Sequence, residues 1–205
     1  MEISADVVKE LRVKTGAGIM DCKEALKVSN GNFEKAIDFL REKGLSAATK
    51  KSSRATKDGL VYSYIHMGGK VGVMIEVNCE TDFVAKTENF RTLTKDLAMH
   101  VAAMNPSYVK PEDVPEAALQ REKDIYRKQV IAEGKPEKIA DKIVEGKLKK
   151  YYEEVCLLKQ KFIRDTNMTV EDLIKASIAQ TGENILVKRF VRYQLGGDEA
   201  ASSAL

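Results

Sequence analysis

The chain of 205 residues contains no tryptophan, two histidines and three cysteines, and each shortage removes a class of function. His66 stands at the end of a strand-like run and His100 inside an amphipathic helix pattern. Neither belongs to a Ser/His or Cys/His arrangement, so a structural or surface role is expected for both. Cys22, Cys79 and Cys156 are odd in number, far apart and without CxxC spacing. That argues against a disulfide framework and a zinc site, and for a reducing compartment. No apolar run approaches the roughly 20 residues needed to cross a bilayer. The start, Met1-Glu2-Ile3-Ser4, is polar and acidic where a signal peptide needs a basic region and then an apolar one. A cytoplasmic protein without membrane contact is expected.

An excess of one charge is also missing. Lys and Arg number 34 against 31 acids, with the signs interspersed, so nucleic acid is not an expected partner. The densest basic stretch, Lys43 to Lys57, has no aromatic residue to stack on a base, and its Ser, Thr and Ala read as a solvated linker. Gly16 and Gly18 lead into Ile19 and Met20 rather than into GxxxxGK[ST], which makes them a turn and not a phosphate loop. No catalytic residue, metal ligand or cofactor is expected, and the chain reads as a binding protein rather than an enzyme.

What is present is a change of hydrophobic period along the chain. Ser4 can cap a helix carrying Val7, Val8 and Leu11; residues 15–18 break it; a second helix carries Cys22, Ala25 and Leu26. Asn32 can cap a third, with Phe33, Ala36, Ile37 and Leu40 on one face and Gly44 as its predicted stop. Leu60 to Met67 and the alternating Val71, Val73, Ile75 and Val77 flank Gly68-Gly69, which predicts a hairpin closed by a two-residue primed turn. Helices are predicted over the Phe90–Met104 stripe, around Ile125–Val130, around Ile139–Leu148 and from Thr169 to Gly182. Residues 184–194, alternating through Ile185, Val187, Val191 and Tyr193 with Arg189 the exception, are available as a third strand. The expected class is α+β: a three-helix domain over 1–46, a linker over 47–57, an α+β core over 58–195 in which helices cover a three-stranded antiparallel sheet, and a disordered tail over 196–205.

Two segments are specific. Glu76 to Lys86 reads E-V-N-C-E-T-D-F-V-A-K, and the amino-terminal stretch sets Leu11, Arg12, Thr15, Gly16, Ala17, Gly18, Ile19, Met20, Asp21, Lys23, Ala25 and Leu26 at fixed spacing. Both resemble the signatures of bacterial elongation factor Ts. The resemblance runs over about residues 1–195, including the Gly134-Lys135-Pro136 turn and the Gly182 to Arg192 block. It implies a ubiquitin-associated-like (UBA-like) three-helix domain ahead of an antiparallel sheet with helices. It also implies a guanine-nucleotide exchange factor for elongation factor Tu, GDP-bound or nucleotide-free, with no catalytic site of its own.

By that resemblance Thr81, Asp82, Phe83 and Val84 enter the GTPase beside its magnesium and phosphate site. There Asp82 disturbs the metal's oxygen network, Phe83 displaces a helix, and incoming GTP later ejects the factor. Arg12, Ile19, Met20 and Lys23 match the positions that hold the nucleotide-binding domain. From the residues alone the favoured reading of Phe83 is that it anchors its own core, as most Phe residues do, and Ile19 and Met20 are candidates to close the small helical core. The chain departs from the longer members in having one sheet-forming set and no coiled-coil heptads. By resemblance to the short members, a homodimer supplies the missing half in a two-plus-two assembly. The alternative reading is a UBA-type adaptor without exchange activity.

Overall fold

Three helices begin the chain, the first and third of them started by a side-chain cap. A computed structural model describes residues 3–197, the side chains of 137 and 138 excepted. Helix α1 is Ala5–Thr15, α2 is Ile19–Val28 and α3 is Phe33–Lys51. Ser4 Oγ accepts the Val7 N–H at 3.4 Å and Asn32 Oδ1 the Lys35 N–H at 3.0 Å, which satisfies donors that a helix start leaves unpaired. Gly16, at φ 68°, ends α1 in the left-handed region and returns its N–H to Arg12 O. Val8, Leu11, Cys22, Ala25, Leu26 and Ala36 form the buried cluster, against which Phe33, Ile37 and Leu40 pack. Full burial of Leu11 and Leu26 stabilises this module by ~1.5–3 kcal/mol each.

The predicted stop at Gly44 is corrected: α3 runs through it to Lys51, so the expected linker over 47–57 begins as helix. Gly44 is there for packing. A Cβ at this position would sit 3.0 Å from the Ala179 Cβ, too close for an unshifted neighbour. Lys50 and Lys51 in the last turn suit the negative end of the helix dipole.

Strands β1 (Asp58–Ile65) and β2 (Val71–Cys79) form the hairpin, and β5 (Leu186–Gln194) lies on the other side of β2, giving the order β1-β2-β5 in an antiparallel sheet. Gly68 and Gly69 have φ of 89° and 67°, as a tight reversal needs, but the turn is not the two-residue one expected. Gly69 N–H closes on His66 O and His66 N–H on Val71 O, so the loop is Met67 to Lys70. The Lys70 carbonyl, which a shorter loop would aim at Met67, accepts instead from Leu195.

On β2, Val73, Ile75, Val77 and Cys79 are buried in strict alternation. The alternation expected of the last strand is not kept: Val187 and Phe190 are buried, Lys188 and Arg189 between them face out, and Tyr193 is exposed. Arg189 Nε reaches Glu76 Oε2 on the neighbouring strand at 2.8 Å.

The remaining helices are α4 (Asp82–Ala85), α5 (Glu88–Met104), α6 (Glu116–Ala132), α7 (Glu137–Val155) and α8 (Val170–Thr181). Phe90, Leu93, Leu97 and Val101 of α5 are buried as the stripe predicted, but Met104 at its end is exposed. A small hairpin, β3 (Lys161–Phe162) with β4 (Asp165–Thr169), is too short and too polar to show in the pattern. His100 is buried and structural: Ile163 N–H approaches Nδ1 at 3.4 Å, leaving Nε2 as the donor to Gln160 Oε1 at 3.0 Å, and burial lowers its pKa.

By compactness the chain falls into two units. One comprises the chain up to Leu60 with Val77–Thr94 and Asp172–Leu186; the other is Val61–Glu76, Lys95–Glu171 and the chain from Val187 on. The tail expected to be disordered lies outside the described residues from 198 onward.

Candidate docking site

Strand β2 delivers the chain to Cys79, and Glu80 and Thr81 then lead into α4, which is a single turn. Ala85 is buried beneath it and Val84 half-buried, which fixes the turn's inner side. Phe83 points the other way and is 80% exposed. The reading in which this ring anchors its own core is therefore overturned, and a fully presented Phe is the informative kind of exposed apolar residue.

The turn is closed by Ala85 N–H to Thr81 O at 3.3 Å and Lys86 N–H to Asp82 O at 3.1 Å. Cys79 donates its thiol to Thr81 O at 3.1 Å. Burial, helped by the charges of Glu183 and Asp58, pushes that thiol's pKa up to about 11, so it remains a donor at neutral pH. Lys86 Nζ meets Asp82 Oδ2 at 2.5 Å, and this contact holds the Asp82 carboxyl below the usual carboxylate range. Asp82 is thus ionised throughout the neutral range. The pair is exposed, hence weak and exchangeable for another cation.

Thr81 occupies the cap position of α4 in extended conformation, but its hydroxyl makes no capping hydrogen bond. It donates to Glu183 Oε1 at 2.6 Å, while Glu183 Oε2 accepts the Glu80 N–H at 3.1 Å and the Thr81 N–H at 3.0 Å. The neighbouring Asn184 gives its N–H to Glu80 Oε1 at 2.7 Å and its buried amide to the carbonyls of Ser52 and Arg54. Two residues just after α8 therefore hold the corner that carries Asp82 and Phe83. Sequence reading did not single out Glu183; its only signal was membership of the Gly182 to Arg192 block.

The second set stands on α1 and α2. Arg12, Ile19, Met20 and Lys23 are all exposed, Ile19 at 56% and Met20 at 72%. Ile19 is absent from the buried cluster, so it does not close the small core. The opposite face of α2 buries Cys22, Ala25 and Leu26, and Lys43 of α3 bridges Asp21 and Glu24 at 2.8 and 2.6 Å, which fixes how α2 is turned. Val13, which falls off the Val8–Leu11 stripe, is more exposed than either. Gln180 Nε2 donates to Thr15 O at 3.1 Å over the left-handed Gly16. The stretch from Gln180 to Asn184 thus touches the supports of both sets.

Among the described residues no group of three or more His, Cys, Asp or Glu is gathered as a metal site, and no helix is long and apolar enough to cross a membrane. In class this is an α+β protein that presents fixed apolar side chains, each beside a charged neighbour, to solvent. The family model described as "Elongation factor TS" matches residues 18–197. The chain is 68% identical over 196 residues to an elongation factor Ts of Syntrophus aciditrophicus, covering 96% of this chain and 98% of that one. It is 56% identical over 196 residues to one of Fervidobacterium nodosum, covering 96% and 100%. It is 58% identical over 194 residues to one of Moorella thermoacetica, covering 95% and 96%. The chain belongs to the elongation factor Ts family of translation factors.

Proposed function

We propose that the protein is the guanine-nucleotide exchange factor of elongation factor Tu in the cytoplasm, acting by contact and without a catalytic site, cofactor, nucleic acid or membrane of its own. The observation that carries this reading is Phe83, 80% exposed on a held turn directly after an ionised aspartate. Burying such a ring in a partner is worth ~1.5–3 kcal/mol, and each ~1.4 kcal/mol is tenfold in affinity. The insertion accelerates GDP release only if its pocket opens in the nucleotide-free GTPase, because equal binding to both states shifts nothing. Asp82 brings a carboxylate next to the partner's metal, exchanging Lys86 for it. A phosphate group that loses its cation is poorly neutralised and leaves faster. Thr81 and Val84 complete the inserted turn.

Arg12, Ile19, Met20 and Lys23 hold the nucleotide-binding domain, the apolar pair giving area and the cations pairing with acids. Coupling is reciprocal, so a nucleotide whose binding the factor weakens must weaken the factor equally, and incoming GTP displaces it. The outer sheet face supports the homodimer and a two-plus-two assembly: Val61, Ile65, Met74 and Tyr193 are exposed there, with Met67 and Leu195 at the hairpin end. An adaptor without exchange activity would leave the Asp82–Phe83 turn without a task.

The test is to mix the protein with elongation factor Tu carrying fluorescent GDP and time its release. Marked acceleration at substoichiometric factor is expected. Release at the spontaneous rate would remove the reading.

A further inference from the structure

A single helical turn cannot hold its own position. Nucleating a turn fixes several residues for one or two hydrogen bonds, and α4 has only four residues. Its place must be imposed from outside, and the densest imposed contact is the Glu183 carboxylate, which accepts three hydrogen bonds from Glu80 and Thr81. Hydrogen bonds to an ionised acceptor are the stronger kind. Glu183 is itself held: the left-handed Gly182 ends α8 just before it, and Asn184 just after it binds Glu80, Ser52 and Arg54.

We infer that Glu183 is a positioning residue for nucleotide exchange. It pre-orders the Glu80–Thr81 corner so that Phe83 meets the GTPase in its productive direction, an inference that rests on the exchange reading above. Groups held within the productive geometry before encounter lose less on binding than groups ordered during it. The effect belongs to the step after docking. The Arg12, Ile19, Met20 and Lys23 surface does not include the Glu80–Thr81 corner, so initial capture of the GTPase should survive loss of the clamp.

The chemistry separates two substitutions. In Glu183→Gln the amide oxygen still accepts both backbone N–H groups, and the Thr81 hydroxyl rotates to accept from the amide nitrogen, so all three bonds persist without the charge. In Glu183→Ala all three go. The residues on either side, Cys79, Ala85 and Phe90, are buried.

The experiment uses the full chain, with two readouts. In the isolated protein, amide hydrogen exchange at Glu80 and Thr81 should rise about tenfold in Glu183→Ala and stay within about twofold of wild type in Glu183→Gln. In GDP release from elongation factor Tu, Glu183→Ala should lower the saturating rate about tenfold and move the half-saturating concentration less than about twofold, with Glu183→Gln near wild type on both. Thr81→Val, which loses one bond of three, should fall between; it carries the test if Glu183→Ala does not fold, and a wild-type saturating rate in it would then overturn the proposal. So would an undiminished saturating rate in Glu183→Ala, a change confined to half-saturation, or a Gln variant as impaired as the Ala variant. If wild-type protein fails to accelerate release while its Glu80 and Thr81 amides are protected, the exchange reading has failed and the positioning role falls with it, although the clamp stands.

Discussion

The α1–α2 surface and the β2–α4 corner both present apolar side chains to solvent, yet they are built on opposite principles. Ile19 and Met20 ride on a helix whose other face is buried in a module closed by residues within the first forty. Phe83 rides on one turn tied down by Glu183, which lies 102 positions from Thr81 and 103 from Glu80. The first support is a hydrophobic core, non-directional and tolerant of small shifts. The second is a set of hydrogen bonds, directional and short. A surface of the first kind suits capture, where area counts; one of the second suits a wedge, where direction counts. The comparison predicts that damage to the two will separate in kinetics, with affinity lost in one case and saturating rate in the other.

The heaviest blow to one side alone is Leu26→Ala. This fully buried side chain lies at the centre of the helical module, and truncation should cost about 2–5 kcal/mol, seen as a lower denaturation midpoint. Half-saturation in GDP release should rise while the saturating rate holds. Loss of the saturating rate instead would show that the module does more than capture. Phe83→Ala attacks the other side: a ten- to hundredfold lower saturating rate is expected from ~1.5–3 kcal/mol of lost burial in the partner. Because the ring touches solvent in the free protein, the midpoint should not move. Ile19→Ala with Met20→Ala comes next, about tenfold in half-saturating concentration, read from the same titration.

The same contrast explains what could be read in the chain without coordinates. Most of what is local was legible: the Ser4 and Asn32 caps, the break at Gly16, the alternation of β2 and the helical stripe from Phe90, though not the short polar β3–β4 hairpin. Three other failures depended on a distant partner. Gly44 reads as a helix stop, and only Ala179 opposite it accounts for a glycine in mid-helix. The Gly68-Gly69 turn widens to the four residues Met67 to Lys70, with the Lys70 carbonyl engaged by Leu195. The last strand changes the phase of its buried side chains between Val187 and Phe190, with Arg189 on Glu76 between them.

At the site, the order of Thr81, Asp82, Phe83 and Val84 was visible through the family pattern. Whether Phe83 faced in or out was not, since a Phe after a strand serves either purpose. Glu183 was invisible in its role: a carboxylate after a helix-ending glycine looks like surface until the chain returns it to Thr81.

The smallest expected effect sharpens the comparison from the corner's charged side. Lys86→Met removes the cation that holds Asp82, so the carboxyl's pKa should rise toward the ordinary value near about 3.9, measurable by following its titration. The sign follows from that depression. A carboxyl with a lowered folded pKa contributes stability above its unfolded value and loses it as pH falls through the folded one, so any loss in the variant would show above the acid range. Both groups are exposed and screened, so the melting temperature at neutral pH should not move measurably. Asp82 remains ionised at pH 7 with or without Lys86, and the saturating exchange rate should hold. What should change is the ease of giving Asp82 to the partner: without Lys86 to displace, half-saturation should fall slightly at low salt, and the difference should vanish as salt screens the original pair. A collapse of the saturating rate in Lys86→Met would mean that the lysine itself enters the GTPase, and the corner would then act by charge as much as by the direction of its ring.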